Sequence, residues 1–275
     1  MITISLCMIV KNEEKVLARC LESAKGFADE IIIVDTGSQD RTKEIARAYT
    51  EKIYDFPWKD DFSAARNESF SKASMDYCMW LDADDVVTEE NQGKLKELKE
   101  RLDPDTDMVM MKYAISETQD GKALFSYYRE RLVKNKRGFL WAGRVHEAIS
   151  PEGKVVYSEI TISHRKEGQK DPGRNLRIYE KMEKEGEAFD GRSRFYYGRE
   201  LMAHGRYSEG IKTLEAFLEG EGWAENKIEA CINLAECFQA LGQKEKGAKA
   251  LTGSFLYGAP RGEACFGLGR YFQER

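Results

Sequence analysis

The stretch YCMWLDADDVV (residues 77–87) runs apolar to Leu81 and then places Asp82, Asp84 and Asp85 side by side. Packing gives no reason to end a buried strand in three carboxylates whose charges repel. A turn with a helix cap would account for Asp84 and Asp85 alone. Residues two apart in an extended chain project the same way. Asp82 and Asp84 therefore read as a D-x-D facing one hard cation, with Asp85 facing away as a turn or capping residue. Mg²⁺ or Mn²⁺ bound by one or two carboxylates completes its shell with waters and phosphate oxygens, which makes a nucleoside diphosphate the expected ligand.

The chain before this stretch carries ITISLCMIV (residues 2–10) and EIIIVDTGSQD (residues 30–40), short continuous apolar runs rich in β-branched residues. Such runs are the signature of buried, mainly parallel strands in an α/β domain. Between them Asn12 can cap a helix with an apolar stripe at Val16, Leu17, Cys20, Leu21 and Ala24, and a second helix is expected over residues 42–49. The three strands end in KNEE, DTGSQD and DADD. The carboxyl ends of parallel strands form the ligand crevice of an open sheet, so the three polar clusters converge on one site. Past Asp85, apolar runs at residues 107–115, 124–128, 131–133, 155–157 and 160–164 predict mixed or antiparallel strands extending the sheet, with little helix between them.

From about residue 175 the chain reads as helical and repeats itself. YYGRELMAHGRYSEGIKTLEAFLE (residues 196–219) superimposes on NLAECFQALGQKEKGAKALTGSFL (residues 233–256) with Gly198 over Ala235, Gly205 over Gly242 and Gly210 over Gly247. Small residues where paired helices touch and a glycine at the turn resemble tetratricopeptide repeats. GLGRYF (residues 267–272) begins a third copy that lacks its second helix, which predicts a truncated array or a partner covering the exposed face.

The 275 residues carry 43 basic and 48 acidic side chains, a formal charge of −5 that recruits neither nucleic acid nor an anionic membrane surface. No stretch approaches the roughly 20 apolar residues of a membrane span, so a membrane-bound acceptor would be reached from the bilayer surface. The scattered cysteines, without a CxxC pair, read as reduced thiols of a cytoplasmic protein.

Several further residues have chemistry to offer the crevice. Asp35, at the end of the second apolar run, can accept hydrogen bonds from a ribose or a base. Arg66, near the start of a helix in DFSAARNES (residues 61–69), gains nothing from the helix dipole there. Its fork suits a diphosphate, or a carboxylate such as Asp35 or Asp82. His146 or His164 can complete a metal shell as an imidazole ligand, and Glu147 is a candidate general base with Asp85 as its competitor. His204 reads as a helix C-terminal residue.

Taken in order, SLCMIVKNEE, IIIVDTGSQDRT, DFSAARNES, WLDADD and WAGRVHEAI resemble the blocks of family 2 glycosyltransferases with the GT-A fold. The resemblance implies a Rossmann-like GT-A domain over residues 1–170, followed by an all-α, TPR-like domain over 171–275. It also implies inverting transfer, dependent on Mn²⁺ or Mg²⁺, of a sugar from a nucleotide donor, usually a UDP-sugar. Val10, Glu13, Asp35, Arg66 and Asp82 would meet the donor. Asp84, with Asp82 and His146 or His164, would hold the metal, and His146 and Glu147 would lie on the acceptor side. The combination is similar to peptide S-glycosyltransferases of glycocins and to transferases acting on cell-surface glycans, so the expected acceptor is a peptide, a protein or a glycan. The repeats are expected to offer a groove or a homodimer contact. Many family members carry a Glu-Asp pair after the metal motif; none stands out between residues 120 and 149, which leaves the base open. A nucleotidyltransferase would want glycines near the first strand, and KNEEKVLARC has none. The alternative of another class is a catalytically inactive nucleotide-binding scaffold that holds a protein partner.

Overall fold

The computed structural model describes residues 1–118, 123–167 and 171–274. The chain divides into two compact units, Met1–Lys170 and Asp171–Arg275; Lys170, the last residue of the expected first domain, lies outside the described residues.

Among the described residues of the first unit eight strands form one sheet. They are β1 (Ile4–Val10), β2 (Glu30–Asp35), β3 (Ile53–Asp55), β4 (Tyr77–Trp80), β5 (Asp85–Val86), β6 (Met108–Glu117), β7 (Ala123–Lys134) and β8 (Val155–His164), in the order β3-β2-β1-β4-β7-β6-β8-β5. Four helices accompany them: α1 (Leu17–Ala24), α2 (Thr42–Arg47), α3 (Phe62–Ser71) and α4 (Glu89–Arg101). Strands β1 to β4 are mutually parallel, and β7 joins β4 antiparallel. The chain goes to one side of β1 for β2 and β3, then returns to the other side for β4. That reversal is the switch point at which open α/β sheets bind ligands.

The continuous apolar runs are explained by burial on both faces. Ile4, Leu6, Met8 and Val10 of β1 pack with Leu17, Cys20 and Leu21 of α1 and Leu95 of α4. Cys7 belongs to a second layer with Phe70 of α3, Cys78, Trp80 and Trp141. A period of two therefore puts apolar side chains into two different cores.

Several local expectations are corrected. The runs at 124–128 and 131–133 are one strand, β7, and those at 155–157 and 160–164 are one strand, β8, because their ladders with β6 continue across register shifts. Strand β3 and helix α4 escaped the apolar pattern, being short in one case and mostly polar in the other. Asn12 does not cap α1, which starts at Leu17; it adopts a left-handed φ of 55° and its Oδ1 accepts from Gln39 N at 2.8 Å.

At the opposite end of β1 and β2, Glu30 is a buried staple. Its carboxylate accepts from Ser5 Oγ and Lys52 Nζ, and from Ser74 N and Oγ at 2.9 and 2.8 Å. Burial alone would raise its pKa, but these donors outweigh burial and bring it down to about 2.

The second unit consists of α5 (Arg174–Lys184), α6 (Gly191–Ala203), α7 (Tyr207–Glu219), α8 (Ala224–Ala240), α9 (Lys244–Gly253), a 3₁₀ turn at Ser254–Leu256 and α10 (Gly262–Gln273). The repeat seen in the sequence is a repeat of structure. Gly205 and Gly242 end α6 and α8 at φ of 74° and 72°, and the next residue's N–H reaches back to Leu201 O and Phe238 O respectively. A side chain on Gly210 would begin 3.4 Å from Gly198 O, and one on Gly247 would begin 3.2 Å from Ala235 O. The small residues thus mark the close approach of α7 to α6 and of α9 to α8. His204 is the C-cap of α6.

Glu30→Gln is expected to cost roughly 1–3 kcal/mol at neutral pH. A carboxylate with a lowered pKa stabilises the fold above the ordinary Glu value near 4.5 and loses that contribution as pH falls through about 2. Denaturant titrations of both proteins should therefore show the gap narrowing from pH 5 to pH 3; a gap that does not change with pH would contradict the assignment.

Candidate active site

The carboxylates after β4 do not lie on an extended chain. Asp85 N donates to Asp82 O at 3.0 Å, closing a turn over residues 82–85, and Asp82 N donates to Asp85 Oδ2 at 3.0 Å. The turn separates what an extended chain would align. Asp82 is directed to Arg66, while Asp84 and Asp85 join His164 in a cluster whose ligand atoms lie within 4.8 Å of one another. His164 arrives through the sheet, since β5 pairs with β8 and places Asp85 opposite His164. The expectations that Asp82 and Asp84 share a direction and that Asp85 faces away are thus corrected by the turn.

Asp85 has no exposed surface. Its Oδ2 accepts from Arg131 Nη1 at 2.9 Å and its Oδ1 accepts from the Tyr113 hydroxyl at 3.0 Å. A carboxylate so enclosed cannot touch an acceptor, which removes Asp85 as a general base. His164 Nδ1 lies 3.5 Å from Asp84 Oδ1 and 3.4 Å from Asp85 Oδ1. His146 is not in the cluster; it sits at a left-handed φ of 53° in the loop closed by the Ala142–Ala148 bridge.

That loop and α3 hold a second group. Asp61 caps α3 by accepting from Ala64 N at 2.9 Å, and Phe62 N donates to Arg144 O at 2.9 Å. Asn67 and Trp141 exchange hydrogen bonds at 3.0 and 2.9 Å. The clamp brings Arg66 between Glu147, whose Oε1 accepts from Nε at 2.6 Å, and Asp82, whose Oδ1 accepts from Nη2 at 2.7 Å. Burial works against the charged guanidinium, yet the two facing carboxylates hold its pKa above the ordinary value. Of the two partners proposed for it in the sequence, Asp82 is the one it meets.

Trp80 lies between the two groups. The guanidiniums of Arg66, Arg129 and Arg131 stand 4.7, 4.9 and 3.7 Å from its ring. Each is also paired with carboxylate: Arg66 as described, Arg129 with Glu130 and Arg131 with Asp85. With Asp84 added, five carboxylates (Asp82, Asp84, Asp85, Glu130 and Glu147) face three guanidiniums. The mixed oxygen and imidazole donor set of Asp84, Asp85 and His164 suits a divalent cation. Arg129, Arg131, Tyr113 and Trp80 were not singled out in the sequence. The available signal was an arginine, Arg131, inside an apolar strand.

The crevice rim is formed by the loops after β1 and β2. Val10, the last residue of β1, is buried and its carbonyl accepts from Thr36 N at 2.9 Å. Asn12 N donates to Ser38 Oγ at 2.9 Å and Glu13 N to Thr42 Oγ1 at 2.7 Å, so the loops are laced together. Asp35 Oδ1 accepts from Gly37 N and Ser38 N, both at 2.9 Å. Its Oδ2 is buried and has no hydrogen-bond partner among the described residues, which leaves an acceptor for a ligand's N–H or hydroxyl.

The glycosyl transferase family 2 model matches residues 5–151, from β1 through the loop that carries Glu147. The chain belongs to that family. Its sheet is mixed and flanked by helices, the α/β arrangement expected from the sequence. All residues of the Arg66 group fall within the family 2 segment, as do Asp84 and Asp85, whereas His164 lies beyond it. A TPR repeat-containing protein of Synechococcus elongatus is 38% identical over 149 residues, 54% of this chain and 36% of its own length. Glycosyltransferase SunS of Bacillus subtilis is 36% identical over 109 residues, 37% of this chain and 24% of its own. The chain thus spans about a third or less of these two relatives. Glucosyl-3-phosphoglycerate synthase of Mycobacterium tuberculosis, solved with Mn²⁺ and UDP-glucose, overlays with a TM-score of 0.45 at 15% identity, covering 69% of this chain and 81% of that one. Among the described residues no helix is long and apolar enough to cross a membrane.

The imidazole of His164 gives the cluster a pH dependence. Its pKa is raised, chiefly by the hydrogen bond to Asp85 and then, against the opposing effect of burial, by the charges of Asp84, Asp85 and Asp82. The imidazolium therefore stabilises the metal-free fold below the ordinary His pKa, and that contribution is lost as pH rises through the raised value. Metal binding has the opposite sign, because a protonated ring offers no lone pair. Mn²⁺ affinity, read from the free-ion EPR signal, should rise about tenfold per pH unit and level off once the ring is neutral; an affinity independent of pH would exclude His164 as a ligand.

Proposed function

We propose that this chain transfers a sugar, with inversion, from a nucleotide diphosphate donor, a UDP-sugar, to a peptide, protein or cell-surface glycan acceptor. The observation that carries the reading is the convergence, in a family 2 domain, of the Asp84–Asp85–His164 cluster and the Arg66–Asp82–Glu147 group on the turn that leaves β4 at the sheet's switch point. The cytoplasm is the compartment in which such a donor and reduced thiols coexist. Five of the six cysteines are buried and all six are free.

The residues divide the work by what each can still offer. Asp35 Oδ2, buried and lacking a donor, accepts from the nucleoside, with the loops bearing Val10 and Glu13 shaping the rim. Asp82 holds the arm of Arg66, and Arg66 Nη1, which has no partner among the described residues, donates to a diphosphate oxygen. Asp84, Asp85 and His164 would hold Mn²⁺ or Mg²⁺, which when bound supplies positive charge to the leaving diphosphate. Glu147 is the carboxylate left for the acceptor proton, since Asp85 is enclosed; its side chain keeps 12% of its surface exposed. In the second unit the paired helices would present a surface for a protein acceptor or a second copy.

A panel of nucleotide sugars with mass readout, in the presence and absence of Mn²⁺, tests the donor through its slow hydrolysis to free sugar and nucleoside diphosphate. UDP with Mn²⁺ at about 100 times the dissociation constant should add roughly 2.7 kcal/mol to stability. Asp84→Ala should abolish both turnover and the Mn²⁺-dependent part of that stabilisation while leaving the fold intact. Turnover at the wild-type rate in this variant would overturn the metal assignment, and no stabilisation by any nucleotide would favour a binding scaffold.

A further inference from the structure

We propose, resting on the sugar-transfer reading, that the open edge of β7 takes up an extended peptide as an added strand, so that the acceptor is a polypeptide rather than a glycan. Strand β4 pairs with β7 only along residues 132–134, opposite residues 77–79. The rest of β7, residues 123–131, has β6 on one side and, among the described residues, no strand on the other. Edges of this kind are ordinarily blunted by lysine, proline or short length, because their unpaired N–H and C=O groups template another chain. Here the outer part reads ALFSYY (residues 123–128), without a charge or a proline. Leu124, Phe125 and Tyr127 are 68, 57 and 40% exposed. A contiguous apolar patch on an unprotected edge marks a surface that something covers.

The edge leads into the candidate active site. The carbonyl of Glu130 accepts from Nε1 of Trp80, the last residue of β4, and so faces the β4 side. From Met110–Glu130 to Ala114–Ser126 the register with β6 is unbroken. Backbone groups of an antiparallel strand point to alternate sides, so the N–H and C=O of Tyr128 and Ser126 face the same open side as Glu130 O. At the inner end Arg129 Nη2 donates to Glu147 O at 3.3 Å. Along the strand the rings form a row, Phe125 to Tyr127 at 6.3 Å, Tyr127 to Tyr113 at 5.8 Å and Tyr113 to His164 at 5.6 Å. A peptide paired with Ser126 and Tyr128 would bring one end towards Glu147 and set alternate side chains beside Phe125 and Tyr127. In such strand addition main-chain bonds give affinity and alternate side chains give specificity. A sugar can stack on the two rings, but it has no two-residue repeat of donors and acceptors to match the edge.

Ser126→Pro removes an outward N–H and leaves the bonds to β6, since an edge strand tolerates proline where the missing N–H faces solvent. Linear peptides selected on the wild-type protein from a random display library should carry apolar or aromatic residues at every second position. The synthesised peptides should bind Ser126→Pro and Phe125→Ser about tenfold more weakly, the loss of one main-chain bond or one ring contact. Backbone N-methylation of the peptides should weaken binding at alternate positions only. Both variants should hydrolyse UDP-sugar without acceptor at the wild-type rate. A library that yields no binder, peptides that bind wild type and both variants equally, or sugar transfer to oligosaccharides but not to the selected peptides would overturn the proposal. A concentration-dependent dimer abolished by Ser126→Pro would overturn it too, in favour of a second copy on the edge. Absence of UDP-sugar hydrolysis by the wild type would sink the transfer reading instead, because peptide binding is measured without donor.

Discussion

Arg131 and Asp85 form an ion pair with no solvent exposure on either side chain, and the arrangement of the site depends on it. Taking two such charges out of water costs several kcal/mol for each unless every lone pair and proton finds a partner. Here Arg131 Nη1 also donates to Trp80 O, while Nε and Nη2 are buried with no hydrogen-bond partner among the described residues and the guanidinium lies on the faces of Trp80 and Tyr113. Asp85 receives Tyr113 and the backbone N–H of Asp82. The pair therefore ties β7, β6, the end of β4 and the turn after it at one point. Once Asp85 is pulled into the sheet, the backbone must turn at 82–85. That turn sends Asp82 to Arg66 and Asp84 to His164.

The two groups on either side of Trp80 solve a common electrostatic problem. Guanidiniums stacked on an indole need carboxylates, and in these two groups the carboxylates outnumber the guanidiniums. The crevice loops are built differently: they are laced by short polar side chains at Asn12, Ser38, Asp40 and Thr42, which hold backbone in place without adding a core. Fixed loops over a charged floor are what a site needs if its groups are to be aimed before the ligand arrives.

The second unit is organised by local contacts. Gly198 against Gly210 and Ala235 against Gly247 let neighbouring helices approach closely, and the same αL glycine ends the first helix of each pair. In such arrays each element leans on its sequence neighbours. That is why a comparison of the chain with itself was enough to find the helix pairs.

What the sequence determined by itself follows the same logic of distance. Buried parallel strands leave uninterrupted apolar runs, and repeated helix pairs leave repeated small residues, so the α/β and all-α parts were both legible. The polar clusters at the ends of β1, β2 and β4 were legible as one crevice because the strand ends lie together whenever the strands are parallel. What only the tertiary structure decided were the pairings made across the sheet. Asp85 changed from an outward turn residue to a buried anchor because Arg131, distant in sequence, lies beside it in space, and His164 rather than His146 joined the carboxylates because β8 pairs with β5. Tyr113 and Arg131 gave no periodic signal, since a polar group in a buried strand takes its meaning from its partner. Strand pairing supplies that partner, and local sequence does not encode it.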